Sequence, residues 1–85
     1  MVDESIAQAL VEVAVFLEFS SEDIVNPDSA VQALEQLSAT LNGADAETKA
    51  SLSTHFNRIS QRYTGEEARF VRTLAENLGL NEGQG

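Results

Sequence analysis

Apolar residues recur along this chain with the period of an α-helix. The first predicted helix spans about residues 4–19, and its apolar stripe is Ile6, Leu10, Val13 and Leu17. Residues 11–19 also fit a strand, because alternate positions are apolar there. We favour the helix, since the helical stripe extends back to Ile6 and the chain offers no second strand for pairing.

The second predicted helix, residues 27–42, has clear boundary signals. Asn26 is a favourable N-cap, and Pro27 suits the first helical position because it has no backbone N–H to leave unpaired. Gly43 is expected to end the helix in the left-handed conformation. The predicted buried stripe is Ala30, Val31, Leu34, Leu37 and Leu41.

Two more amphipathic segments follow. Asp45 is the expected N-cap of a helix over residues 46–63, whose stripe is Leu52, Phe56, Ile59 and Tyr63. A fourth helix over residues 66–78 is expected to bury Phe70, Val71, Leu74 and Leu78. The connections are short, so consecutive helices must pack as neighbours. The expected fold is a single all-α domain of four helices over residues 1–80.

The predicted end of the domain lies at Gly79 and Leu80, which are typical of a Schellman motif. Residues 81–85 are expected to form a disordered tail.

Charge is distributed unevenly between the two halves. The net charge is −9, and no lysine or arginine precedes Lys49, whereas ten acidic residues do. Nucleic acids and anionic membranes are therefore unfavourable partners. The charge favours either a protein partner with a basic surface or simply a soluble, solvated surface. The acidic N-terminal residues do not resemble a targeting leader, and a cytoplasmic protein is expected.

Catalytic and metal-binding patterns are missing from the sequence. The chain has no cysteine and one histidine, His55, which is too few for a zinc site within one chain. It contains neither a nucleophile elbow nor a glycine-rich phosphate loop. We therefore expect a protein that is not an enzyme and that needs no cofactor.

Helix one carries more apolar surface than one core-facing stripe requires. Val11, Val15 and Phe19 lie on the side opposite Ile6 and Leu10. This second face is expected either to be enclosed by the other helices or to form a symmetric homodimer contact, and the dimer is preferred.

Two charged groups are candidate contact sites. His55, Arg58 and Arg62 form a basic stripe on helix three, which either contacts an anion or pairs with the acidic half of the chain. Glu18, Glu22 and Asp23 form an acidic patch between helices one and two, which lacks the ligand order of an EF-hand loop. The patch is the expected contact for a basic partner, unless Arg58 and Arg62 neutralise it.

The first turn of the second helix contains the sequence Asp28-Ser29-Ala30. It resembles the Asp-Ser-Leu motif at the same place in acyl carrier proteins, which are also short, acidic and four-helical. The third residue differs, and the preceding connection is shorter than the long first loop of that family. The resemblance implies a phosphopantetheine group on Ser29, which mass spectrometry would detect after incubation with a phosphopantetheinyl transferase and coenzyme A.

The sequence therefore favours a non-catalytic interaction module, homodimeric through helix one, whose acidic half binds a basic protein surface. Bacterial immunity proteins and antitoxins share this size, charge and helical character. The alternatives are a structural or assembly subunit without a dissociable partner, and the carrier protein.

Overall fold

Helices account for most of residues 2–77, which are the residues that the structure, a computed structural model, describes. The elements are α1 (Glu4–Phe19), α2 (Pro27–Asn42), α3 (Ala46–Ile59), a 3₁₀ turn (Ser60–Arg62), α4 (Gly65–Arg72) and the one-turn α5 (Leu74–Asn77). The predicted all-α bundle is confirmed, and the strand alternative for residues 11–19 is wrong. The fourth predicted helix is divided at Thr73 into α4 and α5. The expectations for Gly79, Leu80 and the tail at 81–85 lie outside the described residues.

Side-chain caps fix where the first three helices begin. The caps at Asn26 and Asp45 are confirmed, and Asp3 caps α1 in the same way. Each cap oxygen accepts a hydrogen bond from a backbone N–H in the first turn: Ser5 at 2.7 Å, Ser29 at 3.1 Å and Thr48 at 2.8 Å. The hydrogen bonds from Thr48 also hold the pKa of the Asp45 carboxyl below its ordinary value.

The prediction of a left-handed Gly43 is wrong, because its φ is −77°. The end of α2 instead tightens into a right-handed turn, in which Gly43 donates to the Thr40 carbonyl at 3.1 Å and Ala44 to the Leu41 carbonyl at 3.0 Å. This turn leads directly into the Asp45 cap. A positive φ of 59° occurs at Gly65, where α4 begins, and only glycine adopts it without strain.

The core lies between α1, α3 and the α4–α5 pair. Its fully buried members are Ala7, Val11, Ala14, Leu52, Phe56, Ile59, Val71 and Leu74. The described residues of the predicted stripes of helices three and four therefore face the core, with Tyr63 and Phe70 partly buried at its margin. Leu78 of the fourth stripe lies outside the described residues.

Helix α1 is rotated relative to the prediction. Ile6 and Val13, assigned to the core stripe, are 57% and 53% exposed, whereas Val11 is 0% exposed. The core stripe of α1 is centred on Val11, with Ala7 and Ala14 one turn to either side. The two alanines let α1 approach its neighbours closely, so backbone proximity takes the place of side-chain bulk.

Helix α2 is the least buried of the long helices. Its one buried residue is Ala30, while Leu34, Leu37 and Leu41 pack partly against the core. Val31, predicted to be buried, is 55% exposed. The helix packs mainly against α1.

Within residues 2–77, no helix has the length and apolarity needed to cross a bilayer.

Candidate protein-interaction surfaces

The basic stripe of α3 converges on Glu4, the first residue of α1. Arg58 donates to Glu4 Oε1 at 2.7 Å, and Arg62 donates to Glu4 Oε2. His55 Nδ1 lies 3.0 Å from Glu4 Oε1. We call these four residues the Glu4 cluster. Of the two sequence hypotheses for the stripe, the geometry matches pairing with the acidic half of the chain.

His55 connects this cluster to the start of the described chain. Its Nε2 lies 2.9 Å from the carbonyl oxygen of Val2, so both ring nitrogens face acceptor oxygens. The backbone N–H of Val2 also donates to Ser51 Oγ at 3.2 Å. These contacts hold the beginning of α1 against α3.

Gln8 extends the same contact along α1. Its Oε1 accepts from Arg62 at 2.8 Å, and its Nε2 donates to the Tyr63 hydroxyl at 3.3 Å. The Glu4 cluster therefore uses the cations of α3 to join two helices that are distant in sequence.

Three hydrogen-bonding side chains change the acidity of Glu4. The hydrogen bond with His55, followed by those from Arg62 and Arg58, holds the pKa of the Glu4 carboxyl below its ordinary value. Desolvation of the carboxyl opposes this effect. Arg58 and Arg62 are themselves half exposed, so water and salt screen the pairs.

We expect Glu4→Gln to lower the urea midpoint at neutral pH. Because the folded pKa of Glu4 is lowered, its ionised form contributes fully above the unfolded pKa, and this contribution disappears as pH falls through the folded pKa. The difference from the wild type should therefore shrink in acid. Urea titrations at several pH values measure this, with Glu35→Gln on α2 as the control of equal charge. A difference that does not change with pH would contradict the assignment.

The acidic patch is exposed and lies apart from these cations. Glu18 is near the end of α1, and Glu22 and Asp23 are in the turn before α2. Among residues 2–77, no ion pair joins any of the three to a basic side chain. The sequence hypothesis that Arg58 and Arg62 neutralise this patch is therefore wrong, because Glu4 binds both arginines.

The proposed second face of helix one is divided by the fold. Val11 is in the core, Val15 packs partly against it, and the Phe19 ring meets Phe70 edge to face with centroids 5.5 Å apart. Val11 and Val15 thus fit the enclosed alternative, whereas Phe19 remains 38% exposed, and Val11 is not available for a dimer contact. The exposed apolar face of α1, which we call the outer face, consists of Ile6, Ala9, Val13 and Phe16.

A groove of about 570 Å³ lies between α2 and the α4–α5 pair. Its apolar lining includes Val31, Leu34, Phe70 and Leu74. Two carboxylates, Glu18 and Glu35, also line it. Glu18 therefore belongs both to the acidic patch and to the groove. The sequence offered no sign of this groove, because it depends on how far α2 stands from α4.

Lys49 is a second residue whose role sequence reasoning missed. It is 6% exposed, and its Nζ donates to the carbonyl oxygen of Asn42 at 3.3 Å. A cation is favourable there, because the end of a helix carries partial negative charge. Lys49 follows Asp45 and Glu47 in the sequence, and nothing in this pattern indicated that its side chain would reach back to Asn42.

The remaining candidates from the sequence are Ser29 and the possible metal ligands. Ser29 is exposed in the first turn of α2, where its backbone N–H binds the Asn26 cap. Within residues 2–77, no three side chains of the histidine, aspartate or glutamate type come together as metal ligands. Comparisons with protein-family models, curated proteins and solved structures found no match to this chain.

Proposed function

We propose that this protein is a non-catalytic interaction module whose acidic patch binds a basic protein surface. The observation that supports the proposal is the separation of charges. The cations of α3 are held at Glu4, while Glu18, Glu22 and Asp23 are exposed without a cationic partner among the described residues. A net charge of −9 adds long-range attraction toward a basic partner. An inhibitor that covers a basic active site is a concrete form of this function.

Neutralising the patch should reduce partner capture about tenfold, if each charge contributes roughly 0.5 kcal/mol. The variant combines Glu18→Gln, Glu22→Gln and Asp23→Asn. The control combines Glu47→Gln, Glu66→Gln and Glu67→Gln, which change the net charge equally at exposed positions elsewhere. Capture from a lysate of the source organism, at low and high salt, is quantified by mass spectrometry.

The expected partner is a basic protein that the wild type and the control retain and the patch variant loses. Its capture should also fall at high salt, because salt screens exposed charges. Equal losses with both variants would show that net charge alone causes binding and would contradict a role for the patch.

We also propose that the protein forms a weak homodimer through the outer face of α1. Ile6, Val13 and Phe16 are all more than half exposed. In an antiparallel pair of α1 helices, Ile6 lies opposite Phe16 of the partner subunit and Ala9 opposite Val13 of the partner subunit. This pairing is compatible with two-fold symmetry and places apolar residues opposite each other.

The size of this face sets the expected affinity. Its three large side chains expose roughly 300 Å² in total, comparable to the largest apolar patches on monomers. A stable interface buries about 800 Å² per partner, so the dimer should be weak and depend on concentration. Salt should strengthen it, because two chains with a charge of −9 repel each other.

Sedimentation equilibrium at increasing protein concentration should detect this dimer, and Val13→Asp should abolish it. The control is Val31→Asp on α2, which places the same charge at a similarly exposed valine. A monomer at every concentration, or a dimer lost equally in both variants, would contradict the proposed face.

A further inference from the structure

We propose that the groove between α2 and α4–α5 binds an amphipathic helical segment that carries apolar anchors and flanking lysines or arginines. This inference rests on the proposed function, because it specifies the form of the basic partner. It depends on the shape, lining and charge of the groove.

The shape of the groove suits a helix. The α2 residues that line it recur at helical spacing from Val31 to Asn42, so this wall is about 17 Å long. Such a wall matches about three turns of a bound helix. The volume of about 570 Å³ is within the range of pockets that hold a ligand.

The lining provides contacts for apolar side chains. Val31 is 55% exposed, and Phe70 is only partly buried, so both retain surface that a partner would cover. Leu74 is buried below them. A helix with apolar residues one turn apart could place them along this floor, as in other helix-in-groove complexes.

The negative charge of the groove favours a basic occupant over the other segments that could bind there. Glu18 and Glu35 line it, and no described lining residue is a lysine or arginine. A lysine-rich or arginine-rich helix therefore complements it. The chain's own segment at 78–85 carries Leu78 and Leu80 but also Glu82 and no cation. The outer face of a second copy has no cationic residue either.

The test uses the full chain and a fluorescent peptide of leucine and lysine, about four helical turns long, with its leucines on one face. Two-dimensional amide NMR locates binding, and fluorescence anisotropy measures affinity. The expected result is shifted amides along Val31–Asn42 and around Phe70. A peptide with glutamate in place of lysine should bind at least about tenfold more weakly.

Variants then separate groove binding from general attraction. Glu18→Gln with Glu35→Gln should weaken peptide binding about tenfold, whereas the control Glu66→Gln with Glu67→Gln should have little effect. At concentrations where the protein is monomeric, Val31→Asn should also weaken it, and the control Val13→Asn, at a similarly exposed valine outside the groove, should not. Shifted amides elsewhere, or equal losses in the variants and controls, would overturn the proposal.

Two further results would also overturn it. If Leu78→Asn with Leu80→Asn raises peptide affinity several-fold, the chain's own segment occupies the groove. If the peptide does not bind while the patch still captures a basic protein through Glu22 and Asp23, the groove proposal fails and the proposed function stands. Loss of both the peptide and the captured protein would remove the two proposals together.

Discussion

Phe56→Ala should lower the free energy of unfolding by about 3–5 kcal/mol, the usual range for removing a buried aromatic ring. Phe56 is 0% exposed and, by volume, the largest of the fully buried side chains among the described residues. It lies on α3 within the cluster that also contains Val11 of α1 and Val71 of α4. The cavity left by its ring would open between three helices.

The size of this loss is large for so small a domain. A chain of 85 residues is expected to have a stability of only about 4–13 kcal/mol. Phe56→Ala should therefore shift the urea midpoint strongly. If the stability of the wild type is near the lower end of this range, the variant should be partly unfolded even without urea. Equilibrium urea denaturation followed by circular dichroism measures the change.

Phe16→Ala is the matched control for this substitution. Phe16 is 53% exposed on the outer face of α1, so its loss should change stability by no more than about 0.5 kcal/mol in the monomer. If the two variants lose similar stability, the core is not centred on Phe56.

The starts of α2 and α3 were predictable from the local sequence, whereas the conformation of Gly43 at the end of α2 was not. The caps at Asn26 and Asp45 depend on residues within one turn, so the starts of α2 and α3 follow from the local sequence alone. The stripe containing Leu52, Phe56 and Ile59 is the single apolar face of α3, so only one orientation buries it.

The rotation of α1 could not be predicted in the same way. This helix is apolar on two sides, so periodicity alone permits either side to face the core. The tertiary structure selects the side with Ala7 and Ala14, whose small side chains allow close helix packing. The sequence pattern favoured the stripe of Ile6 and Val13, which are exposed, although Leu10 of the same stripe packs partly against the core.

The candidate surfaces were predictable only in part. The exposure of the acidic patch could be predicted from its position at a helix junction. The sequence did not indicate that Glu4 would be the partner of Arg58 and Arg62. Glu4 is separated from Arg58 by 54 positions, and its place at a helix start already had a sufficient local explanation. The groove depends on the spacing of α2 and α4, which no local pattern encodes.

The rotation of α1 leads to the second large expected effect: Val11→Asp should unfold the protein, and Val13→Asp should not. Val11 is 0% exposed, so a carboxylate there would lie in the core without a cation or water. The cost of burying an unpaired charge is several kcal/mol, a large part of the total stability of such a domain. Val13 is 53% exposed, and its carboxylate would remain in water.

A gentler pair of substitutions keeps this test informative if Val11→Asp cannot be purified. Threonine has nearly the shape of valine but adds a hydroxyl, so Val11→Thr should cost about 1–3 kcal/mol and Val13→Thr about 0.5 kcal/mol or less. Urea denaturation should be measured at concentrations where the protein is monomeric, because Val13 also lies in the proposed dimer contact. If Val13→Thr is the more damaging change, the stripe of Ile6, Leu10, Val13 and Leu17 faces the core after all. The outer face, and the dimer proposed through it, would then be lost together.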